Sequence, residues 1–383
     1  MKCKNLFEQI DFLESQYIKV WEDICNIESP TRDKQGVDNA CAYLIQMAKE
    51  RGWTIEVQEN DVAGNVVCIT MNGESDCEPV VVSGHMDTVH PVGSFGTPAV
   101  RMDDTYIYGP GVCDCKGGVV ASFLAMDALR RIGFTKRPVM LILQTDEEVG
   151  SSLSNKETVR FMCDKAKNAI AFLNMEGHTP GEACVVRKGI VRFTFMVKGI
   201  AAHSSDCAKN GANAIAEAAY KLLKMEELKR DDGITCNVGL IQGGNTANSV
   251  PDSCSFTADV RFATQEQLQW VRKYAKEIAQ KVLVSGTECT LTETSFRCAM
   301  EKSQKNLNLL DILNRICRQN GMQELTPSFR KGGSDAAYVT EAGIPCLDSL
   351  GVSGDYIHSP RERARKESLK EAAKRAAAVA FCI

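Results

Sequence analysis

Asp146, Glu147 and Glu148 close an apolar run, Val139-Met140-Leu141-Ile142-Leu143, with only Gln144 and Thr145 between. An all-apolar run of that length, bounded by polar residues, reads as a buried strand of a parallel sheet. Acids at such a strand end are costly to desolvate unless a metal ion or a cluster of Arg and Lys offsets them. Other chemistry-bearing residues stand at comparable points. Val80-Val81-Val82 leads to His85 and Asp87, and Ala169-Ile170-Ala171-Phe172-Leu173 leads to Glu176. Ile344-Pro345-Cys346-Leu347 gives way, after Gly351 and Gly354, to His358, while the loop opened by Gly109-Pro110-Gly111 delivers Asp114. Ligands of α/β sheets bind at the carboxyl ends of strands, so strand polarity gathers these groups in one place.

Two imidazoles and several carboxylates, with no obligatory thiolate, suit zinc, with cobalt or manganese as alternatives. Five ligands exceed what one tetrahedral ion needs once a water position is left open. They suit two ions sharing one carboxylate, and Asp114 is the natural bridge. Asp87, two residues after His85, is placed to accept the imidazole's other N–H. Neighbours on an extended chain point to opposite sides, so one of Glu147 and Glu148 can bind metal while the other serves as general base. Plainer readings fall elsewhere: His90 and His178 as structural histidines, Cys113 and Cys115 as packing groups, Lys116 as support for the local acids. Arg261 has the alternative of pairing with Asp259.

The elements around these residues alternate strand and helix. Apolar residues at helical spacing mark helices over 7–26, 37–51, 119–131, 155–165 and 367–381, and strands are expected at 66–71, 80–82, 138–145 and 169–173. The expected fold is α/β, a mixed, largely parallel sheet sandwiched by helices. Between 187 and 298 the pattern becomes β-α-β-β-α-β, a ferredoxin-like α+β insertion. Domains are therefore expected at 1–186 with 299–383, and at 187–298. The inserted sheet has free edges, which invite pairing with a second copy.

A chain of 383 residues exceeds one ordinary core. A net charge of -4 gives no electrostatic reason for nucleic acid or an anionic membrane as partner. Glu8, Asp11 and Glu14 interrupt any apolar segment of signal-peptide length, and no transmembrane helix is expected. The 17 scattered cysteines, odd in number, point to free thiols in a reducing cytoplasm rather than to a disulfide framework.

Several stretches together resemble the M20 metallopeptidases, the group of glutamate carboxypeptidases, aminoacylases and succinyl-diaminopimelate desuccinylase. They are Ser83-Gly84-His85-Met86-Asp87, Gly111-Val112-Cys113-Asp114-Cys115-Lys116-Gly117-Gly118, Asp146-Glu147-Glu148-Val149-Gly150, Gly199 to Ser205, Gly243 to Pro251, Asp259-Val260-Arg261 and Gly332-Gly333-Ser334-Asp335. The resemblance spans nearly the whole chain and implies a zinc-exopeptidase-like fold with a lid or dimerisation domain. It implies two zinc ions, one held by His85, Asp114 and Glu176, the other by Asp114, Glu148 and His358, with Glu147 as general base. It implies a cis peptide after Asp114, a carbonyl-polarising His203 that reaches into a partner subunit's site, and Asn248, Arg261 and Gly333 on the substrate carboxylate. The expected activity is hydrolysis of a peptide or N-acyl amide bond beside a free carboxylate, of carboxypeptidase or dipeptidase type. An N-acyl-amino-acid deacylase or desuccinylase is the alternative, and a non-catalytic metal-binding homologue is an alternative of another class. Pro110 stands where the family usually has Arg, two cysteines flank Asp114, and Gly177 replaces a common proline.

Overall fold

A computed structural model describes residues 2–229 and 233–383. The chain divides into two compact units. The first comprises Met1–Val186, Lys302–Phe329 and Ser334–Ile383, and the second Arg187–Glu301 with Arg330–Gly333. The boundary expected at 298 thus lies at Glu301, and Arg330–Gly333, expected in the first domain, groups with the second.

In the first unit, helix α1 (Lys4–Asn26) buries Leu6, Ile10, Leu13, Tyr17, Val20, Trp21 and Ile24, a stripe recurring every three or four residues. Helix α2 (Lys34–Glu50) starts where the Asp33 side chain accepts the Gly36 N–H at 3.1 Å. The sheet contains β1 (Thr54–Gln58), β2 (Val66–Met71), β3 (Val80–His85), β4 (Val139–Gln144) and β5 (Ala171–Asn174), with Cys346–Leu347 at one edge. Its order is β1-β2-β4-β3-β5-edge. β1 and β2 run antiparallel, while β4, β3, β5 and the edge strand run parallel. The result is the mixed, largely parallel sheet. Every residue of β2 and β3 is buried, as a strand covered on both faces requires.

Helix α3 (Lys116–Arg131) is buried from Lys116 through Leu129 and packs against α1 and the C-terminal helix Ser368–Cys382. Lys116 acts on the local acids through charge, on Glu362 and Glu28, while its hydrogen bonds go to backbone. Its ammonium donates to the carbonyls of Ile24 and Ile27 at 3.2 and 2.7 Å, serving the end of α1, where carbonyls lack helical partners.

In the second unit, β6 (Gly189–Lys198), β7 (Thr235–Gly243), β8 (Ser253–Phe262) and β9 (Glu288–Arg297) form an antiparallel sheet in the order β7-β8-β6-β9. Helices α4 (Ala214–Glu226) and α5 (Gln265–Gln280) supply the crossovers of the β-α-β-β-α-β connection. Val191, Phe193, Phe195 and Val197 face the core, alternating with outward Arg192, Met196 and Lys198, and the Phe195 ring stacks on Phe256 at 4.6 Å. β7 is an edge strand that exposes Leu240 and Ile241.

Candidate metal centre

Strand register places the first donors. In β3, His85 lies opposite Gln144 of β4, and Ser83 lies opposite Asn174 of β5. Glu147 is three residues beyond Gln144, and Glu176 two beyond Asn174, so three neighbouring parallel strands end in donors at one edge of the sheet. Asp114 ends the loop that leaves Gly111, a residue in the left-handed region, and a cis peptide joins it to Cys115. His358 comes from the loop between Gly354–Asp355 and Arg363–Arg365, which is closed by a 3.0 Å contact between Arg363 and Asp355. Tyr356 and His358 both have φ near 60° there, costly for side-chain-bearing residues and characteristic of functional loops.

Asp114 sits between two imidazoles. His85 Nε2 is 3.1 Å from its Oδ1, and His358 Nε2 is 3.1 Å from its Oδ2. Glu176 Oε1 lies 3.7 Å from His85 Nε2, and Glu148 Oε2 lies 3.2 Å from His358 Nε2. Bonds of about 2.0–2.1 Å in a tetrahedron give ligand-to-ligand edges of roughly 3.3 Å, so these separations fit a cation among each set of donors. The electrostatics agree. Burial, then the charge of Asp114, pushes Glu176 well above the usual carboxylate range, and burial pushes Glu148 up to about 7. Hydrogen bonds that His358 donates to Asp114 and Glu148 raise it to about 10. Burial opposes ionisation of Asp114, yet His358 and His85 hold it well below the usual range. Buried acids crowded together favour positive charge among them, which bound cations would supply.

Glu147 and Glu148 do not lie on an extended chain, as the strand reading assumed. β4 ends at Gln144, and Glu147–Val149 form a 3-10 turn. Asp87 holds that turn. Its Oδ1 accepts the Glu147 N–H at 3.1 Å, its Oδ2 the Glu148 N–H at 3.2 Å, and the Thr31 hydroxyl donates at 2.8 Å. The nearest partner of His85 Nδ1 is the backbone carbonyl of Asp87 at 2.8 Å, with the carboxylate 3.4 Å away. Asp146 supports the following segment, taking the Ser154 N–H at 2.9 Å and the Thr158 hydroxyl at 2.7 Å.

Sequence reasoning took His90 as a structural histidine but assigned no role to its partner, Glu362. The buried Glu362 carboxylate accepts the N–H groups of Cys113 and Asp114 at 2.8 and 3.0 Å, and meets His90 Nε2 at 2.8 Å. Only the spacing His358-Ser359-Pro360-Arg361-Glu362 hinted at it. Cys115 Sγ accepts the His85 N–H at 3.0 Å while Cys113 Sγ faces the Val352 carbonyl, and both thiols are free. His178 Nδ1 meets the Ser349 carbonyl at 2.8 Å.

The remaining predicted residues belong to the second unit. His203 and Asn248 are brought together: the Ser204 N–H reaches the Asn248 carbonyl at 3.0 Å, and His203 bridges to Ser249. Arg261 pairs with Asp259 at 2.6 Å, and Gly333 packs against Arg297 and Ile190, the residue opposite Arg261. Ser253 and Arg261 are the near and far ends of β8, about 27 Å apart at a strand's ~3.4 Å rise. Asn248 lies beyond Ser253. One copy of the chain therefore cannot place both Asn248 and Arg261 on a single small carboxylate, because the strand between them is too long.

Residues 81–381 match the sequence profile of peptidase family M20/M25/M40. Carboxypeptidase G2 from Pseudomonas sp. (strain RS-16) is 27% identical over 362 residues, covering 93% of this chain and 86% of its own. Acetylornithine deacetylase from Myxococcus xanthus is 28% identical over 334 residues, covering 79% of this chain and 82% of its own. The crystal structure of aminopeptidase PepT from Bacillus cereus ATCC 10987 superimposes with a TM-score of 0.78 at 22% identity, covering 96% of this chain and 98% of its own.

Proposed function

Because the chain belongs to peptidase family M20/M25/M40, we propose that this hydrolase uses two zinc ions to cleave a peptide or N-acyl amide bond beside a free carboxylate. The observation that carries the reading is Asp114 between His85 and His358, with Glu176 and Glu148 on the outer sides. His85, Asp114 and Glu176 would hold one ion, and Asp114, Glu148 and His358 the other, with cobalt or manganese as substitutes. When bound, the ions would polarise the scissile carbonyl and make a water molecule acidic enough to attack at neutral pH. Glu147, buried on its 3-10 turn, would serve as the general base, taking a proton from the attacking water and passing it to the leaving amine. Asp87 fixes the turn through two backbone N–H groups, which keeps Glu147 and Glu148 in a constant relation to each other.

Specificity for a carboxylate-bearing substrate is assigned to Asn248, Arg261 and Gly333, and polarisation of the carbonyl to His203. The length of β8 supports a homodimer, with His203 and Asn248 from one copy serving the site that uses Arg261 and Gly333 of the other. The exposed edge of β7, with Leu240 and Ile241, is a candidate contact. The free thiols support a cytoplasmic location. Among the described residues, no helix is long and apolar enough to cross a membrane.

The test is a metal analysis of the purified protein combined with a panel of dipeptides, N-acyl amino acids and pteroyl-type glutamates. Two metal equivalents with turnover of a dipeptide or carboxyl-terminal amide support the peptidase reading. Turnover confined to N-acyl amino acids assigns a deacylase, and metal binding without turnover of any of them assigns a non-catalytic homologue.

A further inference from the structure

Resting on the metal-centre reading above, we infer that Glu362 is a positioning residue that fixes the bridging carboxylate of Asp114 and thereby sets the geometry shared by both metal sites. Glu362 is fully buried. Its Oε1 accepts two consecutive backbone N–H groups, Cys113 at 2.8 Å and Asp114 at 3.0 Å. Its Oε2 accepts the Gly111 N–H at 3.3 Å and meets His90 Nε2 at 2.8 Å. The loop from Gly111 to Asp114 therefore folds around one carboxylate, in a bend that the left-handed Gly111 permits.

Three segments meet at this side chain, and each carries a proposed ligand. His90 lies five residues beyond His85, the loop ends in Asp114, and Glu362 lies four residues beyond His358. The Glu362 backbone joins in as well, its carbonyl accepting the Gly109 N–H at 3.3 Å. A bridging carboxylate has little tolerance, because each oxygen must meet a different imidazole-bearing site, here at 3.1 Å on both sides. Rotation of the Asp114 peptide would move both oxygens at once. Four acceptor contacts to one buried carboxylate resist that rotation, as outer partners of metal ligands do elsewhere. Burying the charge is tolerable because N–H groups surround it.

Glu362→Gln is close to isosteric. The amide keeps one acceptor oxygen, sufficient for Cys113 and Asp114, but turns an NH2 toward the Gly111 N–H. The variant should bind cobalt(II) 10- to 100-fold more weakly, show altered visible absorption of the bound cobalt, and lose about 10- to 100-fold in kcat with KM changed less than about threefold. Glu217→Gln is the control for a purely structural loss. Glu217 is also buried and also accepts two backbone N–H groups, Leu283 and Val284, but it belongs to the second unit, whereas every proposed ligand belongs to the first. It should lower the melting temperature and leave the cobalt spectrum native. Should Glu362→Gln fail to fold, His90→Gln removes one contact and keeps the carboxylate, and a smaller change of the same kind is expected.

A native cobalt spectrum and native cobalt affinity in the folded Glu362→Gln protein would overturn the role given to Glu362. So would a loss of activity matched by Glu217→Gln at equal destabilisation. A wild-type chain that binds no cobalt overturns the metal-centre reading itself, a result distinct from either of these.

Discussion

The Asp87 carboxylate accepts the backbone N–H of Glu147 at 3.1 Å, and its second oxygen takes the N–H of Glu148 at 3.2 Å. One buried side chain thus orients both the proposed base and a proposed ligand through their backbone N–H groups. Asp87→Asn replaces one acceptor by a donor facing an N–H group. The variant is expected to retain its metal but lose roughly 10- to 100-fold in kcat. Steady-state kinetics with metal analysis checks this, and a native kcat would remove the role of Asp87.

Glu147→Gln tests the base directly. Removing a positioned general base costs typically 10²–10⁴-fold. The loss should fall on kcat, with two metal equivalents still bound, since Glu147 is not among the proposed ligands. Full activity in the metal-loaded variant would rule out this mechanism.

The metal-free protein should respond to pH in a definite sense. Glu148 is held at about 7 by burial, whereas an unfolded glutamate titrates near ~4.3. His358 is held at about 10 by Asp114 and Glu148, against ~6.5 unfolded. In both windows the folded chain binds more protons than the unfolded one, so stability falls as pH rises, from about 4.3 to about 7 and then toward about 10. The His358 share is small because that ring is half exposed. Metal binding needs the deprotonated forms and runs the other way. The melting-temperature gap between metal-loaded and EDTA-treated protein should therefore widen from pH 5 to pH 8. A constant gap would contradict the assignment of these groups as ligands.

The separation of Asn248 from Arg261 along β8 makes a complementation test possible. Asn248→Ala and Arg261→Ala should each be nearly inactive alone. Random reassortment of the two should form about half mixed dimers, each with one intact site, and restore about a quarter of native activity in a closed twofold pair. No recovery in proven mixed dimers would show that the two residues do not serve one site.

Reading the sequence reached the residues that the structure brings together around Asp114, but not what holds them. His85, Glu176 and the pair Glu147–Glu148 were legible because buried parallel strands are continuous apolar runs, and their polarity says where the next residues go. Asp114 and His358 were legible as loop residues after glycines. The turn at Glu147–Val149 was not, since a 3-10 turn of three residues leaves no period to detect. The contacts of Asp87, Lys116 and Glu362 were not legible either. Each joins segments far apart in the chain through backbone groups, which every residue possesses and no side-chain pattern marks. The inserted sheet showed its alternation clearly, but only the assembled strand order revealed that Asn248 and Arg261 stand at opposite ends.

The hydrogen bonds from Cys113 and Asp114 to Glu362 span 249 and 248 residues. The second unit, Arg187–Glu301 with Arg330–Gly333, lies wholly within that interval. A nascent chain growing from its N-terminus therefore completes the strand ends that carry His85, Glu148 and Glu176 long before it possesses the residue that closes the Asp114 loop. The proposed metal centre thus depends on a contact that cannot form until residue 362 has been made, after the whole of the second unit.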